Sequence, residues 1–308
     1  MNCGLSAVGD RGRERGLEKK RKRRIGDRKD GRLIRTLPPL NAMIPFIMKV
    51  KSESSNFFAD SVEISETERY LRGKRINGYP GMGYLHLFVA AYVRVVSQYP
   101  AINRFVSGQR VYARRNIEYN MVVKKEMKAE SPETSLSIIF SPADTIDDVY
   151  RKLNAEIDKI KGGDDTDADD ISAALMKLPR LLLKFVVWFL NLLDYFGLLP
   201  KVILKASPFH GSVIITDLGS IGLPTIFHHV YDFGNMPLFV SFGAKYKKYE
   251  PLKDGSVVKR KYIDYTLVMD ERICDGFYFS QVYRMFKSIL KDPETLNEPP
   301  DMVVEDID

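Results

Sequence analysis

A chain of 308 residues with 44% apolar and 28% charged residues has enough hydrophobic mass for one large folded body. Its formal charge of +7 does not make the body basic: residues 11–35 hold thirteen Lys/Arg against four Asp/Glu, and removing that +9 leaves about −2 elsewhere. Two isolated cysteines, Cys3 and Cys274, exclude a disulfide framework and a cysteine-rich metal site, which suits a reducing cytoplasm.

Residues 1–30 are polar, glycine-rich and densely charged, the composition of a disordered tail, and lack the apolar stretch of a signal peptide. The run Lys19–Arg24 (KKRKRR) reads as a solvated extension in preference to a specific nucleic-acid or lipid ligand. The folded domain is expected over 31–296. Ala42–Lys51 has near-helical apolar spacing, and Asp60–Ser65 alternates as a strand does. Tyr84–Gln98 reads as a mostly buried helix, stopped by Tyr99–Pro100. Strand patterns follow at Tyr119–Lys124 and Ser135–Phe140, then a helix over Thr145–Lys161 with Thr and Asp in its first turn. The acidic stretch Gly162–Asp170 is expected to be an irregular connector; no EF-hand ending follows it, so no metal is assigned there.

Leu178–Leu204 is the most apolar part of the chain and is expected to be one long helix. Arg180, Lys184, Asn191, Asp194 and Lys201 break it too often for a transmembrane span and fall on one narrow stripe. Packing against protein ranks ahead of peripheral membrane contact for its broad apolar face. Strand patterns at Ser212–Thr216, Pro237–Phe242 and Tyr262–Met269 precede a helix from Phe277 to Lys291, and 297–308 forms a short acidic tail. Interleaved helices and short strands, without a βαβ series, predict an α/β (α+β) two-layer sandwich with a mixed sheet.

Tyr265–Gly276 (YTLVMDERICDG), followed by the helical FYFSQVYRMFKSILKDPETL, resembles the active-site signature of the catalytic domain of 2-oxoacid dehydrogenase acyltransferases and of chloramphenicol acetyltransferase. In that superfamily a strand leads into Asp/His-His-x-x-x-Asp-Gly and then a helix. Asp270, Arg272, Asp275, Gly276 and Asp292–Pro293 match the dihydrolipoyl version, and Cys274–Asp275 the chloramphenicol version. Ser212–Gly222 (SVIITDLGSIG) resembles the family's Thr-Ile-Ser-Asn-Leu-Gly segment. Weaker matches at Asn56–Ile64, Tyr99–Asn103 and Asn116–Val123 extend the likeness over roughly 33–296 in the family's order.

The resemblance implies a CoA-dependent acyltransferase fold and a homotrimer with its active site between subunits. Acyl-CoA and a small acceptor would enter from opposite ends of a channel, with no metal and no specific nucleic acid. It puts Thr216 at the hydroxyl that donates to the oxyanion and Asp275 at a carboxylate that holds the loop through an ion pair. Glu271 falls where the family has its catalytic histidine. A carboxylate is a weak base for a thiol unless burial raises its affinity for protons. The family's early arginine is replaced at Ile44–Pro45, and Asp217 stands for its usual asparagine.

Of the four histidines, His86 lies in the buried helical pattern, and His210 faces the channel or caps a turn. His228–His229, close to Asp232, offers a substitute base, with His229 the candidate and Glu271 or Asp232 orienting it. The other reading of the pair is structural. No lipoyl segment or Ala/Pro-rich linker precedes the domain. Two functions remain: an acyltransferase using Glu271 or His229 with Thr216, or a catalytically silent trimeric scaffold that binds CoA or a partner.

Overall fold

The computed structural model describes residues 22–124, 128, 130–162 and 166–308. In chain order the elements are β1 (Gly31–Leu33), α1 (Pro39–Ile47), β2 (Ser55–Glu63), α2 (Ser65–Ile76), α3 (Tyr84–Gln98), β3 (Arg104–Ser107), β4 (Arg110–Arg114), β5 (Ile117–Lys124), β6 (Glu133–Phe140) and α4 (Ile146–Lys161). Then come α5 (Asp167–Met176), α6 (Arg180–Tyr195), α7 (Lys201–Ala206), β7 (Val213–Asp217), β8 (Leu238–Phe242), β9 (Tyr246–Pro251), β10 (Val257–Asp270) and α8 (Gly276–Lys291).

The main sheet runs β2-β10-β8-β7-β5-β6, with β9 added to β10, and β1-β4-β3 form a separate small sheet. β7 lies parallel to β5 and β8, while the other pairs of the main sheet are antiparallel. The sheet is therefore mixed, as the sequence pattern predicts.

Strand alternation divides the apolar residues between the two faces. Val213, Ile215, Val240, Phe242, Tyr265 and Leu267 join the main core. Ile214, Phe239 and Val268 point the other way and pack with Val230 and Met236 under the β7–β8 connection. Twelve of the fifteen residues of α3 are buried, as its near-continuous apolar sequence requires. Phe88 on α3 stacks on Phe242 of β8 at 4.3 Å, with Tyr265 and Phe286 closing edge-on at 6.0 and 5.7 Å.

Three expectations need correction. The acidic stretch contains the start of α5: the Thr166 hydroxyl accepts from the Asp169 N–H, the Asp169 carboxylate takes the Thr166 N–H, and three aspartates suit the positive helix start. The apolar stretch is two helices, because Gly197 adopts φ +69° and Pro200 sits at the cap of α7. Finally, α6 contains no buried residue, so the described residues leave most of its apolar face uncovered.

Residues 22–30, assigned to the tail, are tied to the body from Arg24 onward, whose Nη1 lies 2.9 Å from the Asp308 carboxylate; 1–21 lie outside the described residues. Buried Arg28 pairs with Asp30 at 2.9 Å and Asp194 at 2.6 Å, joining the N-terminal segment to the end of α6. At the other terminus Asp306 pairs with Arg104 at 2.5 Å, and the Asp308 carbonyl accepts the Arg35 and Thr36 N–H groups. Among the described residues, no helix is long and apolar enough to cross a membrane.

Candidate functional site

β10 ends at Asp270, a single turn of 3-10 helix spans Glu271–Ile273, and α8 begins at Gly276. Asp270 is 1% exposed and forms a two-pronged ion pair with Arg272, whose Nε and Nη2 donate at 2.8 and 2.7 Å. Ser54 Oγ donates to the same carboxylate at 3.0 Å, and Arg272 Nη1 donates to the Met48 carbonyl at 3.0 Å. The Glu271 N–H donates to the Ser54 carbonyl at 2.8 Å. The backbone of Glu271 is thus fixed from both sides while its side chain is exposed.

The ion pair that locks this loop is Asp270–Arg272. Asp275, expected in that role, is exposed and instead caps α8, its Oδ1 accepting the Tyr278 N–H at 2.8 Å. Beneath the loop, buried Lys51 donates to the Gly234 carbonyl at 2.6 Å. Burial pulls its ammonium down to about 8, against the opposing pull of Asp270. Burial likewise pushes the Cys274 thiol up to about 12, so it is no nucleophile at neutral pH.

Thr216 occupies a different part of the sheet. It pairs with Ser241 of β8, which pairs with Thr266 of β10, so three hydroxyl residues stand in one row on the face away from α3. Thr225 crosses the row, its Oγ1 lying 3.1 Å from Ser241 Oγ and 3.0 Å from Thr266 Oγ1. Next to Thr216, burial raises the affinity of the Asp217 carboxylate for its proton, although the Ser220 N–H donates to it at 2.8 Å. The register separates Thr216 from Glu271 within one chain. Glu271 lies five residues beyond Thr266, roughly 16 Å along the strand, and Thr216 lies two strands, roughly 10 Å, to the side.

None of the histidines bonds to Glu271 among the described residues. His228 stacks on Phe239 at 4.1 Å, and burial and then His229 lower its affinity for a proton. His229 is exposed, edge-on to Tyr231 at 4.6 Å. The Asp232 carboxylate accepts the Ser52 N–H and Oγ–H, both at 2.9 Å, and orients neither histidine. His210 is buried, with Nδ1 2.8 Å from Ser207 Oγ and Nε2 3.5 Å from Asp194. His86 Nδ1 accepts the Gly83 N–H at the start of α3, and burial lowers its pKa to about 4.

A cleft of about 570 Å³ opens elsewhere, against β5, β6, α4, α5 and α7, with Arg114, Glu118, Lys159, Lys201 and His210 in its wall. Neither Glu271 nor Thr216 lines it. Sequence reasoning missed Lys51, Ser54 and the Thr225–Ser241–Thr266 group. The signal for the last was present: a lone hydroxyl residue interrupts the apolar strands LFVSF and YTLVM.

No family model and no curated protein matches the sequence. Solved structures do. A probable dihydrolipoamide acetyltransferase from Listeria monocytogenes superposes with TM-score 0.54 at 15% identity, covering 83% of this chain and 94% of its own. The truncated catalytic core of the 2-oxoacid dehydrogenase multienzyme complex from Thermoplasma acidophilum gives 0.51 at 13% identity, over 85% and 100%. Dihydrolipoamide acetyltransferase from Azotobacter vinelandii, in whose catalytic mechanism the roles of a serine, a histidine and an asparagine have been investigated, gives 0.50 at 14%, over 85% and 93%. The chain has the fold of these acyltransferase catalytic cores.

Proposed function

We propose that the protein is a CoA-dependent acyltransferase that works as a homotrimer on a small thiol, hydroxyl or amine acceptor. The observation that carries this is Glu271: an exposed carboxylate on a backbone fixed by Asp270, Arg272 and Ser54, at the base position of the loop signature and within an acyltransferase fold. In this reading Glu271 accepts the acceptor's proton as the acceptor attacks the thioester carbonyl, and the Thr216 hydroxyl donates to the oxyanion. The tetrahedral centre collapses with loss of the CoA sulfur, which takes the proton. Asp275 caps the helix that follows the loop, and Asp270, Arg272 and Ser54 hold Glu271 in place.

The separation of Thr216 from Glu271 favours a site completed between two chains. Such a contact would also cover the Glu271 carboxylate, and burial raises a carboxylate's affinity for a proton. His229, the exposed member of the pair His228–His229, supplies the alternative base. The replacement of histidine by Glu271 favours a second reading, a silent scaffold that binds CoA without turnover.

Calorimetry with acetyl-CoA and CoA, together with a thiol-release assay over small acceptors, separates these readings. The acyltransferase reading expects saturable binding and turnover lost in Glu271→Gln but kept in His229→Ala. Binding without turnover, with turnover appearing in Glu271→His, would identify the scaffold. Absence of CoA binding would remove both.

A further inference from the structure

Helix α6 is the most apolar segment of the chain, and no side chain on it is buried. Its inner edge, Leu183, Val186, Leu190 and Leu193, is half-covered by the body. The outward arc carries Leu181, Phe185, Trp188, Phe189 and Leu192, and Phe196 continues it, with Leu181 83% and Trp188 55% exposed. Seven-residue spacing between Leu181 and Trp188, and between Phe185 and Leu192, puts them on one continuous strip. A strip of this size on a soluble protein marks a surface that meets another phase or another molecule.

The exposed charges at its start have one sign. Lys177, Arg180 and Lys184 are exposed at and before the first turns, whereas Lys201 and Lys205, after the helix, belong to the wall of the cleft, with Lys205 3.6 Å from Asp167. The one carboxylate on α6, Asp194, is withdrawn into the ion pair with Arg28. That pair, with the Lys29 bond to the Leu199 carbonyl at 2.8 Å, fastens the N-terminal segment to the same end of α6. The segment belongs to the stretch 11–35 with its net +9, and the run Lys19–Arg24 ends only four residues before Arg28. Exposed cations thus flank the start of the apolar strip, and the segment that follows the basic run is fastened at its other end.

We propose that α6 and the adjoining basic segment form a docking surface for an anionic membrane. The helix lies in the plane of the headgroups with Leu181, Phe185, Trp188 and Leu192 in the acyl boundary. At sixteen residues it is about 24 Å long, too short to span a hydrocarbon core of about 30 Å. An apolar arc with a cationic border is the composition of an in-plane helix, and a polybasic segment supplies the second attachment that one amphipathic element lacks. A second copy of the same face fits less well, because an isologous contact would set the two cationic borders against each other. This assignment is independent of the acyl-transfer reading.

Trp188 is the only tryptophan in the chain, so its fluorescence tests the proposal on the full-length protein. With vesicles of phosphatidylcholine containing phosphatidylserine, the protein should co-sediment, its emission should shift to the blue, and brominated acyl chains should quench it. Vesicles of phosphatidylcholine alone should bind about tenfold less or weaker, and added salt should release the bound protein. Leu181→Glu with Phe185→Glu should abolish sedimentation while leaving the circular dichroism unchanged, since both positions are exposed. Lys177→Glu with Lys184→Glu should remove the preference for phosphatidylserine. No binding to either vesicle would overturn the proposal. So would binding unaltered by the Glu pair, which would leave the tail alone responsible. A fall in oligomeric state by light scattering in the Glu pair would assign the face to a subunit contact instead.

Discussion

Asp270 and Arg272 show what one carboxylate does for the proposed site. Both are buried, and their pairing leaves Glu271 between them fixed in backbone and free in side chain. Removing one partner strands the other charge. Asp270→Ala should therefore destabilise the fold by about 3–5 kcal/mol in urea unfolding, whereas Asp270→Leu with Arg272→Met should recover most of that loss. Asp275→Ala removes only a helix cap and should cost about 1 kcal/mol.

The ion pair of Asp194 has a pH signature. Burial alone would raise its pKa, but His210 and Arg28 override burial and hold the carboxylate well below the usual range. A depressed folded-state value means stability that is present above the unfolded value of about 4 and lost as pH falls through the folded one. Melting temperature should fall on acidification, and Asp194→Asn should flatten that limb while lowering the melting temperature at neutral pH. At this scale the sequence was only partly legible. Thr216 and Glu271 could be placed by motif, yet the loop's ion pair was assigned to Asp275. Which carboxylate reaches an arginine depends on how β2 and its preceding turn lie against β10, and sequence spacing does not contain that.

At the scale of elements, periodicity worked where one face meets one core. The bounds of α3 were read from the sequence, because a continuous apolar run between Gly83 and Pro100 admits few alternatives. Short strands such as β1, β3, β4 and β9 carry little pattern and were not found, and α2, whose composition is highly polar, was missed as well. The reading failed in the opposite direction at 178–204, where Gly197 and Pro200 divide what looked like one helix. Two helices of similar apolar content also behave differently here. Phe88→Ala in α3 should cost about 3–5 kcal/mol by opening a cavity between the helix and β8. Phe185→Ala in α6 should change stability in solution by less than about 0.5 kcal/mol, since that side chain is more than half exposed and meets the half-exposed rings of Trp188 and Phe189. Parallel chemical denaturation of the two variants checks the contrast.

In the whole molecule, both termini are used to close the body. Arg28 links the N-terminal segment to α6, and Asp306 and Asp308 clip the last residues to Arg104 and to the segment after β1. The fold class was legible because loop signature, hydroxyl strand and helix order occur in one sequence. The geometry of a complete site was not, because Thr216 and Glu271 lie far apart in a single chain. An account in which they cooperate requires two chains.

That requirement can be measured by mixing inactive variants. Thr216→Ala and Glu271→Gln should each release almost no thiol from acetyl-CoA as separate homotrimers. Denatured together and refolded at equal ratio, they should form sites that take intact Thr216 from one chain and intact Glu271 from its neighbour. Random assembly makes half of each contribution intact, so about a quarter of the wild-type rate should return. A mixture that stays as inactive as its parts, beside an active wild type refolded in the same way, would contradict a site shared between chains.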